Sequence, residues 1–369
     1  MAIIGLDATY LADPQPTGTG EYARQLITAL AALETSYHFL LCYRLSRFRR
    51  RREFFCPAPR PDGRGPSFSV RYYQQPLTFW LPWQAKLFHS LAQRPPAFRF
   101  DKEIVTVNDI FPLTGRDYST PEFQRRFADL LLTAVARATF VISPSQYTAD
   151  QLVTHVGAPR ERIRVIQDGV EFPSSPLTPE ERRREKVVCV GPGNEMILMV
   201  GVLDNRKNVV NALRALSSLP ARYRLVLAGK NGYGHEAIHD FIRQEGLTSR
   251  VVVLGYVTKE HLSVLYQAAS VLLFPSWEEG FGIPVLESMA HGLPVVAAGT
   301  SSLPEVGGEA ALYVDPHDPA AMAAQVRQAV EDSGLRAQII DKGLAQARRL
   351  SWRRTAEATL ALYDEALAL

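Results

Sequence analysis

Two glutamates, Glu279 and Glu287, stand eight positions apart, with Gly280, Phe281, Gly282 and Ile283 between them. Carboxylates accept hydrogen bonds from ribose and sugar hydroxyls, and a glycine-rich turn leaves backbone N–H groups for a phosphate. Upstream, Arg206 and Lys207 place two positive charges just before a helical stretch at 209–216. Such a pair suits a phosphate or diphosphate. Plainer readings exist: a carboxylate near a first helical turn favours the helix dipole, and paired cations are ordinary surface charge. The dipole accounts for Glu287. It leaves Glu279, in a loop beside two glycines, without a reason.

These groups need a frame. Residues 271–276 are an apolar run ending in Pro275-Ser276, which predicts a buried parallel strand. The glycine loop follows, Pro284 occupies a first helical position, and Gly292 ends the helix before a second strand at 293–298. In a strand–loop–helix–strand unit the N–H groups of Gly282 and Ile283 and the helix N-terminus converge at the carboxyl ends of the strands, where anions bind. Strand and helix patterns alternate along the rest of the chain. Strands are expected at 3–6, 37–43, 103–107, 140–143, 163–166, 196–201, 224–229 and 251–255, with helices at 22–33, 146–153, 262–269, 320–330 and 352–369. That order predicts an α/β protein of two parallel-sheet domains, 1–172 with the helix 352–369, and 187–351. The polar, proline-bearing stretch 173–186 is expected to be a linker, and 301–306 a loop. Residues 44–82 resist reading, and Trp80 and Trp83 suit a core, a lipid surface or a sugar equally well.

With 369 residues, 46% hydrophobic and 21% charged, the chain has the composition of a globular protein of two ordinary domains. No apolar run approaches the roughly 20 residues that span a bilayer. Asp7 interrupts the first apolar run, which therefore reads as a strand and not a leader. Cys42, Cys56 and Cys189 have no metal spacing and are too few for a disulfide framework, so a reducing cytoplasm is expected. Net charge is +3, but Arg44, Arg47, Arg49, Arg50, Arg51 and Arg52 crowd one stretch beside Phe48, Phe54 and Phe55. The run Arg44–Arg52 is either a solvated face or a peripheral contact with anionic lipid, at about 1 kcal/mol per basic residue. No nucleic-acid motif accompanies it.

Residues 279–287, with Ser288-Met-Ala-His-Gly-Leu-Pro-Val-Val296 after them, resemble the Glu-x7-Glu signature of retaining glycosyltransferases of family four. The resemblance implies the GT-B fold, two Rossmann-like domains facing a cleft, with a C-terminal helix crossing back to the N-terminal domain. Arg206-Lys207-Asn208 matches the family's Arg-Lys-Asn motif, although Val202 stands where many members have a further arginine. By the same resemblance Gly18, Thr19 and Gly20, in the loop 16–21, close over the donor's diphosphate and sugar. Tyr256 and Val257, with Lys259, hold the base through the turn after a strand. Asn108-Asp109 resembles the family's His-Asp pair near the donor sugar. Asparagine hydrogen-bonds a hydroxyl but shuttles no proton, so no general base is expected at 108. Ser145 and Asp168-Gly169 resemble further family elements, and plain helix capping and turn formation explain them too.

The expected chemistry is transfer of a hexose from a nucleotide-diphosphate sugar, GDP-mannose or a UDP-sugar, to a saccharide or lipid-linked acceptor with retention. Glu279, Arg206 and Lys207 are the expected catalytic groups, and Glu287 holds the ribose. No cofactor and no metal ion are expected, since cations and a helix terminus supply the charge. The chain would work in the cytoplasm, with membrane contact at most peripheral. A nucleotide-sugar epimerase or phosphorylase of the same fold and a non-catalytic sugar-nucleotide binder are the alternatives. A nicotinamide enzyme ranks low, because Gly18 and Gly20 do not complete a GxGxxG fingerprint.

Overall fold

A computed structural model describes residues 2–15, 18–58, 60, 62–74, 77–115 and 117–369. The chain divides into two compact units. One holds residues 1–114, 121–169 and 350–369, the other 115–120 and 170–349.

In the first unit seven parallel strands run β1 (Ile3–Asp7), β2 (His38–Arg44), β3 (Ser67–Tyr73), β4 (Leu87–Ser90), β5 (Lys102–Thr106), β6 (Phe140–Ser143) and β7 (Ile163–Val165). Their order across the sheet is β3-β2-β1-β4-β5-β6-β7, so the winding reverses between β1 and β4. One face of the sheet carries the helices Gly18–Ala31 and Trp352–Ala368, which pack on each other through Tyr22, Leu26, Trp352 and Tyr363. On the other face the helix Pro121–Arg137 buries Phe127 and Leu131 against Val105 and Val141. Each such leucine or phenylalanine is worth about 1.5–3 kcal/mol out of water.

The second unit is a six-stranded parallel sheet of β8 (Glu195–Val200), β9 (Tyr223–Ala228), β10 (Val251–Gly255), β11 (Val271–Phe274), β12 (Val295–Ala298) and β13 (Leu312–Val314). The order is β10-β9-β8-β11-β12-β13, with the reversal between β8 and β11. Strands β11 and β12 are buried along their whole length, as their unbroken apolar runs require. Both units are therefore Rossmann-like sheets. Each offers its ligand position at the carboxyl ends of the strands flanking the reversal.

Several expectations need correction. Most of the expected linker is helix, Pro179–Val190, opened by a capping box between Thr178 and Glu181 with Pro179 in the first turn. The stretch 301–306 is not a plain loop, because a short helix, Leu303–Gly307, starts within it. The helix after β1 begins at Gly18, so Gly18, Thr19 and Gly20 form its first turn and not a loop. Pro16 and Thr17, in the expected loop, lie outside the described residues. The unread stretch contains strand β3, and its Phe79 and Trp80, with Trp83 just after it, are exposed, Trp83 by 78%. The arginine run is a series of short helical turns, Leu45–Glu53, with no buried residue. Arg44 is not part of that solvated series: it ends β2, and its guanidinium donates to the Pro95 carbonyl.

Candidate active site

In the second unit the segments leaving β8 and β11, the two strands at the reversal, meet. After β8 comes the tight turn Asn205–Lys207, capped by the Asp204 carboxylate, which accepts from the Lys207 N–H at 3.1 Å. Asn208 then takes a left-handed conformation and starts the helix Val209–Ser218. Its amide anchors the corner by donating to the carbonyls of Pro275 and Pro316. After β11 the loop is stitched to the same turn, with the Trp277 N–H donating to the Arg206 carbonyl and the Arg206 guanidinium to the Glu278 carbonyl.

That stitching brings the charged side chains together. Arg206 Nη1 lies 2.7 Å from Glu279 Oε2, and Lys207 Nζ lies 2.6 Å from Oε1. All three residues are 8% exposed. Lys207 Nζ also sits over the Phe274 ring at 4.5 Å. Burial pushes the Glu279 carboxyl up, but the Arg206 and Lys207 charges outweigh it and hold its pKa at about 2. The Glu279 carboxylate is therefore ionised at neutral pH, while burial lowers the Lys207 pKa against the pull of Glu279. Two cations against one carboxylate, with Asp204 farther off at 4.0 Å from Arg206, make a fixed charge array with little exposed surface.

The glycine loop runs on from Glu279. Ser301 Oγ accepts the Glu279 N–H, and the Ser302 hydroxyl lies 2.9 Å from the carbonyls of both Glu279 and Phe281. Phe281 is buried, which fixes the turn. Gly282 has φ 105° and precedes the helix Ile283–Ala290, with Pro284 in its first turn. Among the described residues the N–H groups of Gly282 and Ile283 have no acceptor, as expected of a helix start that faces an anion. A side chain at 282 would meet Leu303 Cδ2 at 2.6 Å, so the turn admits only glycine.

Glu287, further along this helix, is not paired with the cations. Its Oε2 accepts from the Tyr266 hydroxyl at 2.8 Å. Burial and the Glu287 charge hold that hydroxyl far above its usual range, so it remains a donor. His291 Nδ1 donates to the Glu287 carbonyl, and its Nε2 receives the Ser263 hydroxyl. Tyr256 and Val257 follow β10, on the far side of the sheet, where Lys230 lies over the half-exposed Tyr256 ring at 5.1 Å. Lys259 pairs with Glu171 at 2.7 Å.

In the first unit Asn108 and Asp109 follow β5, and Gly18, Thr19 and Gly20 open the helix after β1. Both amide atoms of Asn108 are enclosed without a partner among the described residues. Sequence reasoning missed Asp204, Tyr266 and the two serines. Asp204 carried a signal, an N-cap residue before a basic turn. Tyr266 carried none, because only the packing of two helices brings it to Glu287.

Residues 16–172 match the Glycosyltransferase Family 4 signature and residues 182–346 that of Glycosyl transferases group 1. The O-antigen chain mannosyltransferase B of Escherichia coli is 30% identical over 291 residues, 76% of this chain and 76% of that protein. A D-inositol 3-phosphate glycosyltransferase of Acidothermus cellulolyticus is 34% identical over 247 residues, 63% of this chain and 55% of the relative, about half its length. Among solved structures, Anabaena HepE in complex with UDP and glucose superposes with a TM-score of 0.75, covering 99% of this chain and 100% of that one, at 18% identity. That likeness establishes the shared GT-B architecture of two Rossmann-like domains. The chain belongs to the family 4, group 1 glycosyltransferases.

Proposed function

We propose that this glycosyltransferase moves a hexose from a nucleotide-diphosphate sugar, GDP-mannose or a UDP-sugar, to a hydroxyl acceptor in polysaccharide or glycolipid synthesis, with retention of anomeric configuration. The observation that carries this reading is the buried Arg206–Glu279–Lys207 cluster beside the open N–H groups of Gly282 and Ile283. The cations and the helix start face the donor's diphosphate and offset the charge that grows on the leaving phosphate. Glu279 holds both cations in place, and its remaining lone pairs receive donor-sugar hydroxyls. Glu287 takes the ribose hydroxyls, while Tyr256 and Val257 flank the base.

In the proposed step the anomeric carbon–phosphate oxygen bond breaks and the acceptor oxygen bonds to the same face of that carbon. The acceptor proton passes to the leaving phosphate oxygen. Asn108 contributes a hydrogen bond to a sugar hydroxyl and Asp109 orients the same end, with no proton transfer assigned to either. Charge is handled by side chains and a helix terminus, so the step calls for no metal ion or cofactor. Gly18, Thr19 and Gly20 add helix-start N–H groups from the first unit.

The E. coli relative is named as an O-antigen mannosyltransferase, which favours mannose and a saccharide or lipid-linked acceptor. Work at the cytoplasmic face of a membrane belongs to the same proposal. The exposed arginines at 49–52 and the aromatic group Phe79, Trp80 and Trp83 suit anionic lipid. No described helix is long and apolar enough to cross a membrane. The test is release of nucleoside diphosphate from a panel of GDP-, UDP- and ADP-sugars, with the product anomer read by NMR. Release that depends on an acceptor, with the donor's anomeric configuration kept, supports the reading. An inverted linkage removes retention, and the absence of turnover with every donor removes the transferase.

A further inference from the structure

The first unit carries a second constellation of cations at the carboxyl ends of its strands. Strands β2 and β3 end in Arg44 and Tyr73, and the segment after β4 brings Arg94 alongside. With Ser46, Gln74 and Ala97 they line a cavity of about 400 Å³. Asp7, the last residue of β1, lies beneath it.

Internal charge balance does not explain this cavity. Asp7 is already served by neutral donors: the Tyr73 hydroxyl at 2.8 Å on one oxygen and the Thr9 N–H at 3.1 Å on the other. Arg44 approaches it only to 4.0 Å. Arg44 is held instead by the Pro95 carbonyl at 3.2 Å and by the Tyr73 ring, 5.3 Å away. Its Nε is buried without a partner among the described residues. Arg44 and Arg94 line the same cavity, so two guanidinium groups share its wall. One carboxylate against two lining arginines leaves an excess of positive charge at the carboxyl end of a parallel sheet. An orphaned guanidinium N–H, a second arginine and short polar side chains are what a phosphate oxygen needs.

We infer that Arg44, Arg94, Ser46 and Gln74 form a phosphate subsite in the first unit, which holds the phosphate of a phosphorylated acceptor. The inference rests on the transferase reading only in calling that ligand an acceptor. A cavity of this size takes a phosphate with part of one attached sugar or chain. The phosphate comes from one of two sources, a lipid-linked glycan or a free sugar phosphate, and the chemistry at the cavity is the same for both.

The test uses the full chain and orthophosphate, titrated by calorimetry at constant ionic strength with chloride as balance. Excess UDP and GDP are present to occupy the second unit. Wild type binds orthophosphate. Arg94 makes no side-chain hydrogen bond or ion pair among the described residues, and Arg94→Gln weakens binding on the order of tenfold, the loss of one charge-assisted contact. Ser46→Ala weakens it less and guards against a folding defect, checked for both by near-ultraviolet circular dichroism. Dodecyl phosphate and glucose 1-phosphate then compete: stronger displacement by the first marks a lipid-linked acceptor, by the second a free one. Equal orthophosphate affinity in wild type and both variants overturns the inference, and so does failure of both competitors. Nucleotide titration of the wild-type chain separately reports the donor reading, so the two fail independently.

Discussion

Gly201 and Lys207 occupy one space. A methyl group on Gly201 would stand 2.8 Å from Lys207 Cε and 3.1 Å from Nζ, and the backbone there has φ 129°. The end of β8 thus leaves the lysine stem room to reach Glu279. Gly201→Ala should displace the ammonium and strain the backbone, costing about 1–3 kcal/mol in urea unfolding. Turnover should fall on the order of tenfold or more. Unchanged turnover with lowered stability would show that Lys207 is a structural cation only.

Glu279→Gln leaves two buried guanidinium and ammonium groups facing an amide. Breaking a buried ion pair from one side costs about 3–5 kcal/mol, so the variant should unfold at markedly lower urea concentration. Its pH profile should differ too. The folded carboxyl sits at about 2, below its ordinary value of 4.5. The stability it contributes is therefore complete above pH 4.5 and is lost as the pH falls toward 2. Wild type should lose stability across that window more steeply than Glu279→Gln, and parallel acid profiles would contradict the ion-pair geometry.

In the proposed donor site Tyr266, which donates to Glu287, acts on the ribose through that carboxylate. Tyr266→Phe removes one hydrogen bond to that carboxylate, so the affinity for nucleoside diphosphate should weaken about fivefold to tenfold. Turnover at saturating donor should change little, because the ribose is remote from the bond that breaks. A loss confined to turnover would move Glu287 away from the ribose.

Asp168, in the first unit, presents the opposite case. It is 4% exposed, its Oδ1 has no partner among the described residues, and burial pushes its pKa up to about 7. A raised carboxyl destabilises the fold as pH climbs from its ordinary 3.8 to about 7, and the full penalty holds above that. Asp168→Asn should match wild type near pH 4 and exceed it in stability at pH 8, by denaturant titration at both values. Equal stability at both would mean that the carboxyl is solvated.

What the sequence made legible was local. Strand β11, the helix Ile283–Ala290 and strand β12 could be read because apolar runs are unbroken and Pro284 and Gly292 punctuate them. The helix Pro179–Val190 was hidden by nearby prolines and by a surface with only Val190 buried, although Thr178 and Glu181 form a capping signature. Strand β3 is an edge strand, mostly half-exposed, and carries little apolar signal. The acids and cations were identifiable by type, but the bond between Lys207 and Glu279 crosses 72 positions. It exists only because β8 and β11 are neighbours in the sheet.

The helix Trp352–Ala368 completes the core of a unit whose other strands all precede residue 170. During synthesis Tyr22, Leu26 and Phe39 must wait, with an apolar face bare, while the ribosome makes the whole intervening unit. That unit is continuous apart from six residues and is free to mature first. The birth order of the halves is thus reversed, and a ribosome stalled before the final helix would leave its amino-terminal half as a client for chaperones.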